Sequence, residues 1–332
     1  MPSDTYFRTG LYGSAEDLPI GMGKEAAGVV VAAGAASSAA VGDRVACLVP
    51  SGAYADRLLV RGGACHALPA GVSFDDGAAA LLQGMTAHYL ACSIPVPSGG
   101  GASSASSASS ANSANSAVAG PGAAGVGGGC TEGLAPGCTA LVHAAAGGTG
   151  QLLVQVAKLR GARVLATVGA EWKAELARAA GADEVLVCAR GGGGTDFSAW
   201  CRELTGGAGV DIVYDGIGKS TYEGSMASLR RRGMLVLFGN ASGAVPPIDP
   251  LSLGAHGSIF VTRPTLFQYI DGPGEEAARM ADVLGWLASG ELRIALHDKI
   301  FGFGEAGEAH AALESGATSG KILLAPEHLR AE

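Results

Sequence analysis

The chain has 332 residues, of which 48% are hydrophobic and 16% charged, and a net charge of −8. That suffices for one large or two ordinary domains with real cores, and the acidic balance without a basic stripe excludes the electrostatic footprint of a nucleic-acid binder. No uninterrupted apolar run reaches the roughly 18 residues of a membrane span, and the N-terminus has no apolar signal segment. The seven cysteines (47, 65, 92, 130, 138, 188 and 201) are scattered without a CxxC pair, which suits free thiols in a reducing compartment rather than a structural zinc site.

Residues 1–75 read as β-rich, with strand-like runs at 26–33, 44–49 and 54–60 separated by turns at Gly42-Asp43 and Ser51-Gly52. A helix is expected over 79–91. Residues 97–137 are a near-tandem run of Ser, Ala, Gly and Asn with almost nothing to bury, so a flexible surface loop is expected there.

Residues 139–161, TALVHAAAGGTGQLLVQVAKLRG, then change the pattern. An apolar run over 140–146 ends in Gly147-Gly148-Thr149-Gly150, which opens into a helix with Leu152, Leu153, Val156, Ala157 and Leu159 on one face. Strand, glycine turn, helix is the order that aims a helix N-terminus at a phosphate. Alone, Ala145-x-Gly147-x-x-Gly150 is a weak signal that also reads as a plain βα turn. Its context is what matters: strands at 163–168, 184–188, 211–215 and 234–238 alternate with helices at 171–180, 197–204 and 222–229. Such alternation implies βαβ crossovers and a doubly wound parallel sheet. The tail returns to mixed structure, with a strand at 258–261, helices at 275–289 and 304–313, and a strand at 322–325.

Several words occur in an order that resembles the zinc-free, ζ-crystallin-like NADPH:quinone oxidoreductases of the medium-chain dehydrogenase/reductase superfamily. They are DTYFRTGLY (4–12), KEAAGVV (24–30), GDRVA (42–46), LLQGMTAHYL (81–90), HAAAGGTG (143–150), GVDIVYDGIG (209–218), FGNASG (238–243) and VTRPTLF (261–267). The resemblance implies an α/β fold with a Rossmann sheet inserted in a GroES-like β domain. Its expected boundaries are 1–85 for the first GroES-like part, 86–262 for the Rossmann domain carrying the 97–137 insert, and 263–332 for the return. The chain starts some way inside the β domain of the family pattern, so that domain is expected to be incomplete at its N-terminal side. Zinc-dependent members carry a catalytic histidine in a Gly-His-Glu word. Here the word is Gly23-Lys24-Glu25, and an ammonium cannot ligate zinc without first losing its proton, so no metal is expected.

The same resemblance assigns the cofactor NADPH and its residues. Gly147, Gly148, Thr149 and Gly150 face the pyrophosphate. Gly169, at the end of the second sheet strand, belongs to the cofactor-binding set, and Lys173 just beyond it holds the 2′-phosphate, although Lys173 also reads as a solvated first-turn charge. Cys188 and Gly316 stand where relatives often have a tyrosine and a basic residue. Gly216 borders the adenine side. Phe238, Gly239, Asn240 and Ala241, with Arg263, Pro264 and Thr265, line the nicotinamide end. Tyr6, Thr86 and Tyr89 match positions near the nicotinamide, each with an ordinary packing role as the other reading. His143 and Asp215 read as packing and capping residues, and His88 shows no acidic partner in the sequence.

The expected activity is hydride transfer from NADPH to a quinone, with Tyr6 or solvent delivering the proton. An α,β-unsaturated aldehyde or ketone is the alternative acceptor, and a non-catalytic NADPH-binding protein the alternative class. The family implies a homodimer, without nucleic-acid or membrane partners. The location is expected to be cytoplasmic, with an organelle open as long as the N-terminus looks truncated.

Overall fold

The computed structural model describes residues 2–10, 12, 18–97, 130–188 and 195–329. The segment begins with helix α1 (Pro2–Arg8), where a β-rich stretch was expected. Proline suits a first helical position because the missing N–H needs no partner there, and Asp4 and Arg8 lie at the dipole ends that favour them. Strands β1 (Glu25–Val29), β2 (Arg44–Leu48) and β3 (Cys65–Ala67) form an antiparallel sheet in that order. The third strand is therefore not at 54–60. There Leu58 and Val60 lean on Cys47 and Val49 and Leu59 is fully exposed, the in-out alternation of a strand, but both edges of β2 are already taken by β1 and β3.

Helix α2 (Phe74–Cys92) starts earlier than its apolar stripe, because Ser73 caps it by accepting from the Asp76 N–H at 3.0 Å. It is buried along most of its length and packs on β1, on α3 and on α8, both given below. Its C-terminus leads to β4 (Val96–Pro97), which pairs antiparallel with β5 (Cys130–Thr131). The expected loop over 97–137 is thus narrower at both ends. Pro97 and Cys130 are paired, and Leu134 is buried with its N–H on Ala91 O at 2.7 Å. Residues 98–129 and the glycine break at 191–194 lie outside the described residues.

The alternating elements follow: β6 (Thr139–Val142), α3 (Gly148–Leu159), β7 (Arg163–Val168), α4 (Glu171–Ala179), β8 (Glu184–Val187), α5 (Phe197–Leu204), β9 (Val210–Asp215), α6 (Tyr222–Ser228), β10 (Leu229–Leu237), α7 (Pro250–Ala255) and β11 (Phe260–Thr262). The strands form one parallel sheet in the order β11-β10-β9-β6-β7-β8. Side chains alternate between two cores. Ala140, Val142, Val164, Ala166, Ile212 and Tyr214 join the core under α2 and α3, whereas Leu141, Leu165, Val213 and Leu235 join the one under α5 and α6. Burial on both faces explains why these strands read as continuous apolar runs.

Two elements differ from expectation here. Strand β10 begins at Leu229 rather than near 234, with an irregular register between Leu229 and Met234 where Arg232 takes φ 57°. Its charged start, Arg230-Arg231-Arg232, hides it from a hydrophobicity reading. Helix α7 is too short to show a period and is announced only by Asp249, whose carboxylate accepts from Leu251 N at 3.0 Å ahead of Pro250. The chain ends with α8 (Glu275–Ser289), β12 (Phe301–Gly302), α9 (Ala306–Ser315) and β13 (Leu324–Ala325), the two strands pairing parallel.

Strand order reverses between β6 and β9, so the turns leaving these strands open a crevice at the carboxyl edge of the sheet. The glycine turn after β6 lies at that point.

Candidate active site

The turn is built by the backbone. Strand β6 stops pairing at Val142, Ala144 takes φ 52°, and Gly147 becomes the N-cap of α3 without a side-chain hydrogen bond. Gly147 N–H donates to Ala144 O (2.9 Å), and the first helical bond runs from Gln151 N–H to Gly147 O (2.9 Å). The N–H groups of Gly148, Thr149 and Gly150 precede that bond, at the positive end of the helix dipole. A Cβ on Gly150 would lie 2.3 Å from Ala144 O, whereas one on the exposed Gly147 would meet only that same oxygen at 3.2 Å. Gly150 is therefore dictated by the strand exit, and Gly147 leaves the outer face of the turn open.

Below the turn lies a buried polar chain. Asp215, fully buried at the end of β9, accepts from the N–H groups of Ile217 (2.8 Å) and Gly218 (2.9 Å), from the Thr221 hydroxyl and from the Ser225 hydroxyl (2.8 Å). Because Ser225 spends its proton on Asp215, its oxygen accepts from His143 Nε2 at 3.1 Å, and His143 Nδ1 then accepts from the Thr167 hydroxyl at 2.7 Å. Burial holds His143 below the usual imidazole range against the pull of Asp215. These groups tie β6, β7 and β9 together and leave no donor for a reaction. His143 and Asp215 are framework residues.

The loops after β9 and β10 interlock. A Cβ on Gly216 would press on the Phe238 ring at 2.9 Å, and one on Gly239 would meet Gly216 O at 2.4 Å. Ala241 N–H reaches Gly216 O at 3.3 Å. Asn240 is thereby held facing α1. Tyr6 and Tyr12 meet edge to face with ring centroids 5.2 Å apart, Arg263 Nη2 donates to Tyr12 Oη at 3.1 Å, and Asn240 Nδ2 approaches the same oxygen at 3.5 Å. Burial, and then Tyr12, push the Tyr6 phenol up, opposed by a hydrogen bond from the Asn240 backbone and by the Arg263 charge. Tyr6 therefore keeps its proton at neutral pH. Tyr6, Asn240 and Arg263, distant in sequence, share one corner. Tyr12 belongs with them and was missed as a site residue, although it ends the DTYFRTGLY word.

Other expected residues are engaged in different ways. Thr86 bonds its own helix, donating to Leu82 O at 2.6 Å. Tyr89 is buried and stacks on Tyr269 at 4.5 Å. Arg263 Nη1 donates to Pro264 O at 3.0 Å, and Thr265 leads into the short turn Leu266–Tyr269. At the far end of the crevice Gly169 follows β7, and Lys173 donates to Gly316 O at 2.8 Å while lying 5.0 Å from the Trp172 ring centre. Gly316 is the left-handed C-cap of α9, at φ 63°.

His88 does have an acidic partner: Nε2 lies 2.9 Å from Asp282 Oδ2, and Arg279 donates to Nδ1 at 3.0 Å. The sequence could not show it, since Asp282 comes from α8. Lys24, in the altered Gly-His-Glu word, donates to Pro50 O at 2.5 Å and stands 4.5 Å over the Phe7 ring. Among the described residues no group of three His, Cys, Asp or Glu side chains is arranged to hold a metal, and no helix is long and apolar enough to cross a membrane.

Residues 1–94 match the alcohol dehydrogenase GroES-like domain and residues 148–281 the zinc-binding dehydrogenase domain. A quinone oxidoreductase of Pseudomonas aeruginosa is 35% identical over 97% of this chain and 87% of its own length. The chain belongs to the quinone oxidoreductase family. Within it, the Escherichia coli quinone oxidoreductase solved in complex with NADPH has 34% identity and a TM-score of 0.81, over 98% of this chain and 88% of that one. A 2-haloacrylate reductase from a Burkholderia species is 34% identical over 98% of this chain and 87% of its length. The family match fixes the fold as a GroES-like β domain combined with a Rossmann sheet.

Proposed function

We propose that this protein is a zinc-independent, NADPH-dependent reductase of quinones and related conjugated carbonyl compounds. The observation that carries the proposal is the open face of Gly147 at the sheet's switch point, with the Tyr6–Tyr12–Arg263–Asn240 corner built on the segments that leave the carboxyl ends of β10 and β11 in the same parallel sheet. NADPH, when bound, supplies the hydride. The donors of Gly148, Thr149 and Gly150 fit a pyrophosphate, and the Lys173 ammonium fits the additional phosphate that distinguishes NADPH from NADH. The relative solved with NADPH supports the same choice.

At the other end, Arg263 and Tyr12 would orient an acceptor oxygen and oppose the negative charge that grows on it. The Tyr6 phenol, held protonated, stands ready to give up a proton. A quinone spreads the incoming charge over its ring, so hydrogen-bond donors suffice without a Lewis acid. Lys24 in the place of the ligating histidine is consistent with this. By family likeness the protein would act as a cytoplasmic homodimer.

A conjugated acid or enone is the second acceptor class. The 2-haloacrylate reductase relative favours it, as does Arg263, because a guanidinium pairs well with a carboxylate. The discriminating experiment measures NADPH consumption with a quinone panel, an enone panel and 2-chloroacrylate. Turnover confined to the acrylate would displace quinones as the substrate class. Tight NADPH binding with no turnover on any acceptor would instead indicate a non-catalytic binder.

A further inference from the structure

The second glycine of the cluster, Gly148, is small for a different reason from Gly147 and Gly150. A Cβ on Gly148 would meet neither the strand exit nor open space. It would lie 2.4 Å from Oε1, 2.7 Å from Nε2 and 2.8 Å from Cδ of Gln83 on α2. The Gln83 amide thus rests against the first residue of α3, where the unbonded N–H groups begin. Gln83 is only 5% exposed, and its Oε1 has no hydrogen-bond partner. A buried acceptor left unpartnered is costly, and such a group calls for a role.

Helix α2 is itself gripped at this height. The Leu82 N–H donates to Glu25 Oε2 at 2.9 Å, and Glu25 Oε1 receives the ammonium of Lys321 in a pair that is almost wholly buried. The residue before Lys321, Gly320, bridges to Gly147 in the turn. A closed ring therefore runs from the turn through Gly320, Lys321, Glu25 and Leu82 to Gln83 and back to Gly148. It joins four segments that are far apart in sequence.

We propose that Gln83 is a positioning residue for the dinucleotide turn, and that residue 148 is glycine to make room for Gln83 rather than for the ligand. The amide sets the height of the first turn of α3, and so the aim of its N–H groups. This rests on the NADPH assignment above.

The test is a double-mutant cycle on the full chain with G148A, Q83A and Q83A/G148A, reading NADPH Kd by fluorescence titration, NADPH KM and kcat, and Tm. The expected result is that G148A weakens NADPH about tenfold through KM, with kcat at saturation nearly unchanged, and that Q83A weakens it by a similar factor. In the Q83A background the G148A change adds no further loss. If G148A alone does not fold, recovery of folding in Q83A/G148A supports the proposal, and failure in both overturns it. Losses that add, or a G148A protein that binds like wild type, overturn the role of Gln83 alone. Wild-type protein that binds no NADPH overturns the cofactor assignment and this proposal with it.

Discussion

The ammonium of Lys173 donates to the carbonyl of Gly316 across 2.8 Å, joining the first turn of α4 to the C-terminus of α9. Both termini of this contact lie at the end of the crevice where β7 stops. A lysine tethered to a helix C-terminus is a fixed positive point, and a point charge suits a phosphate monoester. Replacing Lys173 by Ala should weaken NADPH by roughly tenfold and leave NADH nearly unchanged, about 1–2 kcal/mol for one partly solvated charge contact. Isothermal titration with both nucleotides checks this. Equal losses for the two would make Lys173 a strut and not a phosphate ligand.

The Tyr12 hydroxyl accepts from Arg263 at 3.1 Å, which places its own proton toward other acceptors. If the two orient the substrate oxygen, Y12F should reduce kcat/KM for a quinone by roughly 10-fold and R263A by roughly 100-fold, the usual scale for losing a donor at a developing oxyanion. R263K should not rescue, because a lysine lacks the planar fork. NADPH Kd should change less than kcat/KM in Y12F, and a loss confined to Kd would place Tyr12 with the cofactor alone.

Glu25 and Lys321 are 8% and 4% exposed and pair across the junction between β1 and the C-terminal segment. Removing one partner leaves an uncompensated buried charge, so K321M should destabilise by about 3–5 kcal/mol. Removing both in E25Q/K321M should cost less than that single change. Chemical denaturation of the three proteins decides it, and a double mutant worse than K321M would mean that the charges do not stabilise one another.

Three histidines share one direction of shift. Burial is the leading cause at each of His88, His143 and His310, and holds their imidazoles below the ordinary value. At His88 the hydrogen bond to Asp282 opposes this, while the Arg279 charge adds to it. With the folded pKa lower than the unfolded one, the unfolded chain binds protons first as pH drops. Their contribution to stability is complete above the unfolded value of about 6.5 and is lost as pH falls toward the folded values. Tm should be level from pH 8 to about 7 and decline below about 6.5, and H88Q should make that decline shallower. A Tm that rises on acidification through this window would show that the imidazoles are stabilised in their charged form.

Much of this fold was legible before the structure, because the sheet strands bury both faces and the glycine turn sits between a clean strand and a clean helix. Short elements were not. Strand β3 has three residues, α7 has six, and the start of β10 is masked by three arginines. The site divides in the same way. Residues carried by a recognisable word, such as Gly147–Gly150 and Asn240, could be named as candidates, and the structure brings the candidates Tyr6 and Arg263 to one corner through Tyr12. Contacts that exist only across the fold could not be read: Tyr12 with Arg263, Lys173 with Gly316, His88 with Asp282, and Gln83 against Gly148. Periodicity records which face a residue belongs to and carries no information about which distant element will cover it.

The most direct test is to mix chelator-treated protein with NADPH and a simple quinone and follow loss of the reduced nicotinamide together with hydroquinone formation. One hydroquinone per NADPH consumed, a faster reaction with NADPH than with NADH, and no effect of the chelator are expected. NADPH that binds but is not oxidised by any quinone, or turnover that stops with the chelator and returns with zinc, would contradict a zinc-independent NADPH:quinone reductase.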